Sequence, residues 1–181
     1  MSEDILIKSE SVYLRPVHEN DLAGSYMEWL KDEEVTRFME FGNEPVTLER
    51  MKEYLESLNN DENIFLAIVL NDNEQHVGNI RLGPIDMANK KSEIGIMLGS
   101  RSVWGKGVAR LAMNLVLEHA FDKLGLKMIT LGVNRENTRA IGLYEKLGFV
   151  RDENNVVNEG HQATILYKLM AETFNKGKVR S

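Results

Sequence analysis

The chain has 181 residues, of which 43% are hydrophobic, and its formal net charge is −6. This length can bury the core of one domain, whereas the acidic balance argues against nucleic acid as the main partner, and the lack of cysteine excludes disulfides, thiolate metal sites and a cysteine nucleophile. Because no apolar run reaches the roughly 20 residues of a membrane span and the N-terminus has no signal-peptide pattern, we expect a cytoplasmic protein without a membrane partner.

The first half of the chain predicts helices that follow an initial strand and precede two further strands. Pro16 is expected to end the initial strand, because proline cannot donate to a sheet ladder. Asn20 or Asp21 is suited to cap the first helix, and Thr47 precedes a later one. The expected elements are a strand at 11–16, helices at about 20–30, 33–39 and 47–58, and strands at 64–70 and 77–82.

The second half predicts two strands joined by a helix, then another helix and two closing strands. Val108, Leu111, Ala112 and Leu115 have the i, i+3, i+4, i+7 spacing of an amphipathic helix between the first two strands. A connection of this kind makes the two strands parallel neighbours. The expected elements are strands at 92–98 and 127–133, helices at about 108–123 and 137–147, strands from 149 and at 161–169, and a polar C-terminal tail. We therefore expect one domain over residues 1–181, with its core at about 11–169.

The stretch from Glu93 to Leu111 combines a strand, a small-residue loop and the start of a helix. Alternation in the strand places two sets of side chains on opposite faces, one being Ile94, Ile96 and Leu98 and the other Glu93, Gly95 and Met97. The loop consists of Trp104, Gly105, Lys106, Gly107, Val108 and Ala109. Its backbone N–H groups and the helix dipole favour a phosphate group, and Lys106 adds positive charge. The residue order matches neither the nucleotide triphosphate loop nor the dinucleotide fingerprint, and a tight turn without a ligand is the alternative.

A second motif follows about thirty residues after the loop. Its pattern, Asn-x-x-Ala-x-x-x-Tyr-x-x-x-Gly-Phe, is complete here in Asn137, Ala140, Tyr144, Gly148 and Phe149. Together with the loop, it resembles the GNAT superfamily of acyl-CoA-dependent N-acetyltransferases over residues 11–169. The GNAT loop pattern Gln/Arg-x-x-Gly-x-Gly/Ala is matched at Gly107 and Ala109, but Trp104 stands in the Gln/Arg position. This departure is similar to the subgroup that contains the ribosomal-protein N-terminal and spermidine acetyltransferases.

The resemblance implies an α/β (α+β) fold, in which a mixed, mostly antiparallel sheet of six or seven strands has helices on both faces and a splayed central parallel pair. It also implies acetyl-CoA as co-substrate and no metal. Peptide-like pantetheine is expected alongside Met97, Leu98 and Gly99. The phosphates are expected on the backbone amides of residues 104–109, with Arg101 and Lys106 as supplementary charges. Asn137 is expected to contact the cofactor and to cap its helix.

Two residues are candidates for catalysis. Tyr144 lies two helical turns after Asn137, so both side chains project from one side of the helix. The motif implies that the Tyr144 hydroxyl donates a hydrogen bond or a proton to the leaving thiolate. The alternative is that Tyr144 is a core aromatic residue whose hydroxyl donates to a carbonyl. Glu93 could relay a proton from the substrate ammonium through water, and the alternative is an exposed strand carboxylate.

The sequence leaves the amine acceptor open. Residues 29–45 resemble GNAT enzymes that acetylate amino sugars on nucleotide carriers, protein N-termini or polyamines. Four carboxylates of this segment could attract a cation or simply form an acidic surface, and they are Glu33, Glu34, Glu40 and Glu44. The alternative to an enzyme that acetylates a primary amine is a non-catalytic module that binds an acyl-CoA as a sensor. A homodimer is also left open.

Overall fold

The computed structural model describes residues 6–39, 45–153 and 164–178 of the chain. The strands in this part are β1 (Ile7–Lys8), β2 (Val12–Pro16), β3 (Ile64–Leu70), β4 (His76–Leu82), β5 (Lys91–Leu98), β6 (Met128–Asn134), β7 (Val150–Arg151) and β8 (Thr164–Met170). The α-helices are α1 (Glu19–Asp21), α2 (Met27–Trp29), α3 (Glu33–Thr36), α4 (Leu48–Leu58), α5 (Val108–Glu118), α6 (Thr138–Lys146) and α7 (Ala171–Lys178). The sequence predicted six or seven strands, and β1 adds one because two residues are too few to show an alternating pattern.

All of these strands belong to one sheet with the order β1-β2-β3-β4-β5-β6-β8-β7. Neighbours are antiparallel except for β5 and β6, which are parallel and joined through α5. The mixed, mostly antiparallel sheet with one central parallel pair is therefore confirmed. The crossover helix explains the exception, because a parallel connection must carry the chain back to the starting edge of the sheet.

The parallel pair is short and then opens. Three residue pairs join β5 to β6, namely Lys91 with Met128, Ser92 with Ile129 and Glu93 with Thr130. Beyond the third pair the strands continue to Leu98 and Asn134 without pairing to each other. We call the opening between residues 94–98 and residues 131–134 the fork, and the level of Glu93 its vertex. The predicted splay of the central pair is thus confirmed.

Apolar residues cover both faces of the sheet, as predicted. The main core lies on the face of Ile94 and includes buried residues of α5, among them Ala112, Met113 and Leu117. The second core lies on the opposite face of β5 and consists of Leu22, Tyr26, Trp29, Leu30, Met51 and Met97. The predicted alternation along β5 therefore separates Ile94 from Met97. None of the helices in the described ranges is both long and apolar enough to cross a bilayer.

The first predicted helix is broken into short pieces. α1 is followed by a π-helical turn at Leu22–Tyr26, and Gly24 inside this turn has a non-helical backbone with φ −98° and ψ −149°. The predicted caps, Asn20 and Asp21, are wrong, because the helix begins at Glu19 with His18 as its N-cap, and both residues lie inside it. The carboxylate of Asp21 instead accepts hydrogen bonds from the backbone N–H of His18 at 2.8 Å and from the guanidinium of Arg15 at 2.7 and 2.8 Å.

The last described segment is a helix, where the sequence predicted a frayed polar tail. Phe174 of α7 is buried, and its ring centroid lies 5.3 Å from that of Phe121. One large apolar side chain in a polar segment is enough to hold the helix against the main core, since burying a phenylalanine contributes about 1.5–3 kcal/mol.

Candidate active site

The glycine loop lies at the open end of the fork and leads into α5. Gly107 is the N-cap of α5 and has φ +83°, and Gly105 has φ +75°, which are left-handed conformations that favour glycine. A Cβ atom built on either glycine meets no atom within 4 Å. The space in front of the loop is therefore open, and the predicted phosphate site fits this geometry because the N-terminal N–H groups of α5 face outward from a helix end.

Trp104 ties the loop to the strand that precedes it. Its indole Nε1–H donates a hydrogen bond to the backbone carbonyl of Leu98, with 2.9 Å between the nitrogen and the oxygen. The indole therefore occupies one of the two lone pairs of the Leu98 carbonyl. Leu98 belongs to the strand along which the sequence predicts pantetheine. Lys106 is exposed, and Arg101 lies 3.6 Å from the carboxylate of Asp32 in α3's N-cap position.

Met97 and Gly99 have packing roles on the second-core face of β5. Met97 is buried in the second core. A Cβ atom built on Gly99 lies 1.8 Å from Cδ2 of Trp29, so the indole rests directly on the glycine backbone. Close approach of a side chain explains why glycine occupies this position, and the predicted contact of the same backbone with pantetheine stays a prediction.

We expect Gly99→Ala to lower the free energy of unfolding by at least about 1–3 kcal/mol, the usual cost of overpacking a core. The new methyl would collide with the Trp29 ring, which must then leave its place in the second core. Chemical denaturation measures the loss. Gly95→Ala is the matched control, because a Cβ atom there meets nothing within 4 Å. Equal stability of the two variants would contradict the packing role of Gly99.

Glu93 stands at the vertex of the fork. It is registered with Thr130 across the parallel pair, and its side chain is exposed. The next residue on the same face, Gly95, is also exposed and has open space above it. Among the described residues, no group forms a hydrogen bond or ion pair with the Glu93 carboxylate. A free carboxylate therefore borders an open groove where the fork begins.

The second motif forms the start and end of α6. The Asn137 side chain accepts a hydrogen bond from the backbone N–H of Ala140 at 3.1 Å, which is the predicted N-cap. Gly148 has φ +92° and ends the helix in the left-handed conformation. These contacts fix α6 at the end of β6, on the same edge of the sheet as the glycine loop.

Tyr144 lies in the main core, and its hydroxyl has no hydrogen-bond partner among the described residues. The residue is 8% exposed, and its ring centroid lies 6.0 Å from that of Phe149. No side chain or carbonyl in the described part of the chain hydrogen-bonds its hydroxyl, so the alternative of a hydroxyl bound to a carbonyl is not found there. Burial raises the pKa of Tyr144 to about 12, and the hydroxyl is therefore protonated, as a donor must be, at neutral pH.

The two candidate catalytic residues lie on opposite faces of the sheet. Tyr144 shares the main core with Ile94, whereas Glu93 points to the face of Met97. The fork thus has a phosphate-type loop at its open end and a carboxylate at its vertex, and Tyr144 belongs to the core on the opposite face of the sheet. This arrangement suits an extended ligand with a phosphate at one end and a reacting group at the other.

The structure adds one residue that the sequence analysis did not select. The guanidinium carbon of Arg139, near the start of α6, lies 5.1 Å from the ring centroid of Trp104. Its position two residues after Asn137 could have drawn attention to it. The predicted acceptor carboxylates are less informative: Glu33 and Glu34 are exposed on α3, whereas Glu40 and Glu44 lie outside the described residues.

Comparison with known proteins identifies the family of this chain. The family model described as an acetyltransferase (GNAT) domain matches residues 11–150. An N-acetyltransferase 9-like protein of Caenorhabditis briggsae is 28% identical, over 83% of this chain and 80% of the relative. Spermidine N(1)-acetyltransferase of Escherichia coli K12 is 29% identical, over 75% of this chain and 67% of the relative.

Solved structures share the fold. The crystal structure of spermidine N-acetyltransferase from Vibrio cholerae in complex with CoA and spermine superposes with a TM-score of 0.78 at 22% identity, over 92% of this chain and 99% of that one. The chain therefore belongs to the GNAT acetyltransferase family and is an acetyl-CoA-dependent N-acetyltransferase, as its two motifs predicted.

Proposed function

We propose that this protein transfers the acetyl group of acetyl-CoA directly to a primary amine of a small polyamine-like cation. The observation that carries the proposal is the fork, with the glycine loop at its open end and the Glu93 carboxylate at its vertex. Direct transfer needs the donor and the amine side by side, and holding two reactants in one geometry removes much of the entropic barrier.

Binding of acetyl-CoA would use the loop and the fork together. The pyrophosphate would accept hydrogen bonds from the backbone N–H groups of Gly105 and of residues 107–109, where Gly105 and Gly107 leave room, whereas the N–H groups of Trp104 and Lys106 donate to the carbonyls of Arg101 and Val103. The pantetheine arm would lie along residues 97–99 of the β5 segment, whose edge toward the fork has no strand partner. Its thioester would then lie toward the vertex, near Gly95.

Glu93 would accept the proton that the amine must lose. A primary ammonium has a pKa near 10.4 and cannot attack a carbonyl until it is deprotonated. The exposed Glu93 carboxylate would relay that proton through water to the solvent, after which the neutral nitrogen attacks the thioester carbon and the carbon–sulfur bond breaks. The open space above Gly95 admits the amine from the same face.

Tyr144 would stabilise the departing thiolate by a hydrogen bond. With its pKa at about 12, against about 8.5 for a cysteine-like thiol, full proton transfer would be uphill by about 5 kcal/mol. A hydrogen bond that strengthens as negative charge develops on sulfur carries no such cost. The proton that finally reaches the sulfur would come from the amine by way of solvent.

A polyamine-like acceptor is supported by charge and by the relatives. Glu33 and Glu34 lie on α3, and no described residue pairs with their carboxylates. α3 is linked to the loop region through the contact between Asp32 and Arg101 at 3.6 Å. The relatives from E. coli and V. cholerae are named for spermidine. A cation with several amines suits an acidic acceptor region better than an anionic nucleotide sugar does.

A thiol-release assay tests the proposal. Purified protein with acetyl-CoA is offered spermidine, a peptide with a free N-terminus and a nucleotide-linked amino sugar. The proposal requires the highest kcat/KM with spermidine. Turnover with the peptide alone would show that the acceptor is a protein N-terminus and not a polyamine. Binding of acetyl-CoA without turnover of any amine would support the sensor alternative.

We expect Glu93→Gln to lower kcat/KM at pH 7 by about 10²-fold, the low end for a general base, because water can still carry the proton. The deficit should shrink toward pH 9. Below the pKa of the amine, each rise of one pH unit makes the neutral amine about tenfold more abundant, so less help from a base is needed. Glu10→Gln, in the exposed turn between β1 and β2, is the control. A deficit that stays constant with pH would rule out proton transfer as the role of Glu93.

A further inference from the structure

Two guanidinium groups lie near the half-buried ring of Trp104. The guanidinium carbon of Arg139 lies 5.1 Å from the indole centroid, and that of Arg101 lies 5.9 Å from it. The three residues come from different elements: α6, the loop itself and the 3-10 turn at Arg101–Val103. Two positive charges therefore lie close to one aromatic ring of the loop.

The two arginines differ in what their donors already bind. Arg101 lies 3.6 Å from the carboxylate of Asp32, which offsets part of its charge. Arg139 is exposed, and among the described residues no acid or carbonyl accepts from its five N–H donors. Stacking on an indole face holds a guanidinium in place without using those donors. Arg139 therefore has an oriented guanidinium whose N–H donors can bind an anion.

We propose that Arg139 binds the 3′-phosphate of CoA and thereby selects CoA over acyl carriers that lack this group. The inference rests on the proposed binding of acetyl-CoA at the loop. CoA carries a pyrophosphate and, on its ribose, a third phosphate farther from the thioester. The pyrophosphate is accounted for by the N–H groups of α5, whereas Arg139 belongs to α6 across the mouth of the fork. Its planar donors match a phosphate in a bidentate contact.

Trp104 gains a second role from this arrangement. Its Nε1–H holds the end of β5, while its ring face positions Arg139. A glutamine or arginine at the same position could form the first contact but offers no indole face for the second. The departure from the usual loop pattern and the free guanidinium of Arg139 are therefore parts of one anion site.

The test measures the dissociation constants of CoA and 3′-dephospho-CoA by calorimetry, for the wild type and Arg139→Gln. The wild type should prefer CoA by about tenfold to a hundredfold, the range of a charge-assisted hydrogen bond. Arg139→Gln should lose this preference and bind dephospho-CoA as the wild type does. Arg37→Gln is the matched control, because Arg37 also lies over a partly exposed aromatic ring, with its guanidinium carbon 5.2 Å from the ring centroid of Phe38.

The outcomes separate this inference from the proposed function. An unchanged preference in Arg139→Gln would overturn the role of Arg139 while leaving acetyl-CoA binding intact. Equal weakening of both ligands would place Arg139 on the pyrophosphate and also contradict the proposal. Failure of the wild type to bind either ligand would overturn the loop assignment itself, together with the proposed function.

Discussion

Tyr144→Phe is expected to lower kcat by about 10²–10⁴-fold, the usual contribution of a positioned proton or hydrogen-bond donor, with little change in the dissociation constant of acetyl-CoA. The substitution keeps the ring that packs against Phe149 and removes the hydroxyl alone. Since no described residue hydrogen-bonds that hydroxyl, its loss leaves no protein group unpaired. We therefore expect the free energy of unfolding to stay the same or rise slightly.

Tyr167→Phe provides the contrasting control for this experiment. Tyr167 is also buried, at 1% exposure, but its hydroxyl donates to a carboxylate oxygen of Glu145 at 3.0 Å. Its replacement should cost about 1 kcal/mol of stability and leave turnover near the wild-type value. Both variants are compared by kcat, by acetyl-CoA binding and by denaturation. Full turnover of Tyr144→Phe, with chemistry shown to limit the rate, would return Tyr144 to a packing role.

Gly107→Val is expected to abolish the rise in melting temperature that acetyl-CoA gives the wild type. A ligand that binds the folded state stabilises it by about 2.7 kcal/mol at a hundredfold excess over its dissociation constant, and this effect disappears with binding. Valine would project into the open space in front of the loop and would also strain a backbone at φ +83°. Differential scanning fluorimetry with and without acetyl-CoA measures the shift.

Gly125→Val is the control that separates two effects of Gly107→Val, namely backbone strain and loss of acetyl-CoA binding. Gly125 has φ +66° and no atom within 4 Å of a built Cβ, as at Gly107, but it lies in the turn between α5 and β6. Both variants should melt earlier than the wild type without ligand. The Gly125 variant should keep the acetyl-CoA shift, and a preserved shift in a folded Gly107→Val protein would refute the phosphate role of the loop.

Local patterns predicted those features that depend on neighbours in sequence. The start of α5 at Val108 follows from two glycines before an apolar stripe, and the N-cap at Asn137 follows from its short polar side chain. The parallel pairing of β5 and β6 follows from chain topology, because a helix lies between them. These features also locate the fork, at which the candidate site is proposed.

Other features depend on contacts that no local pattern encodes. The break at Gly24 follows from the packing of short helices on the second core rather than from propensity, which would tolerate one glycine in a helix. The stacking of Arg139 on Trp104 joins residues of separate elements. The free hydroxyl of Tyr144 is likewise a property of its whole surroundings, since a buried tyrosine ordinarily finds a partner.

The fork also changes how the protein manages unpaired strand edges, which can recruit foreign strands and start aggregation. The outermost described strands, β1 and β7, have two residues each and carry Lys8 and Arg151, and short charged edges of this kind resist strand addition. Two further unpaired edges face each other inside the molecule, along residues 94–98 and 131–134. The backbone N–H and C=O groups along these two edges are therefore poorly accessible to a strand of another polypeptide. They can pair with a ligand that is slender enough to enter between two strands of one sheet.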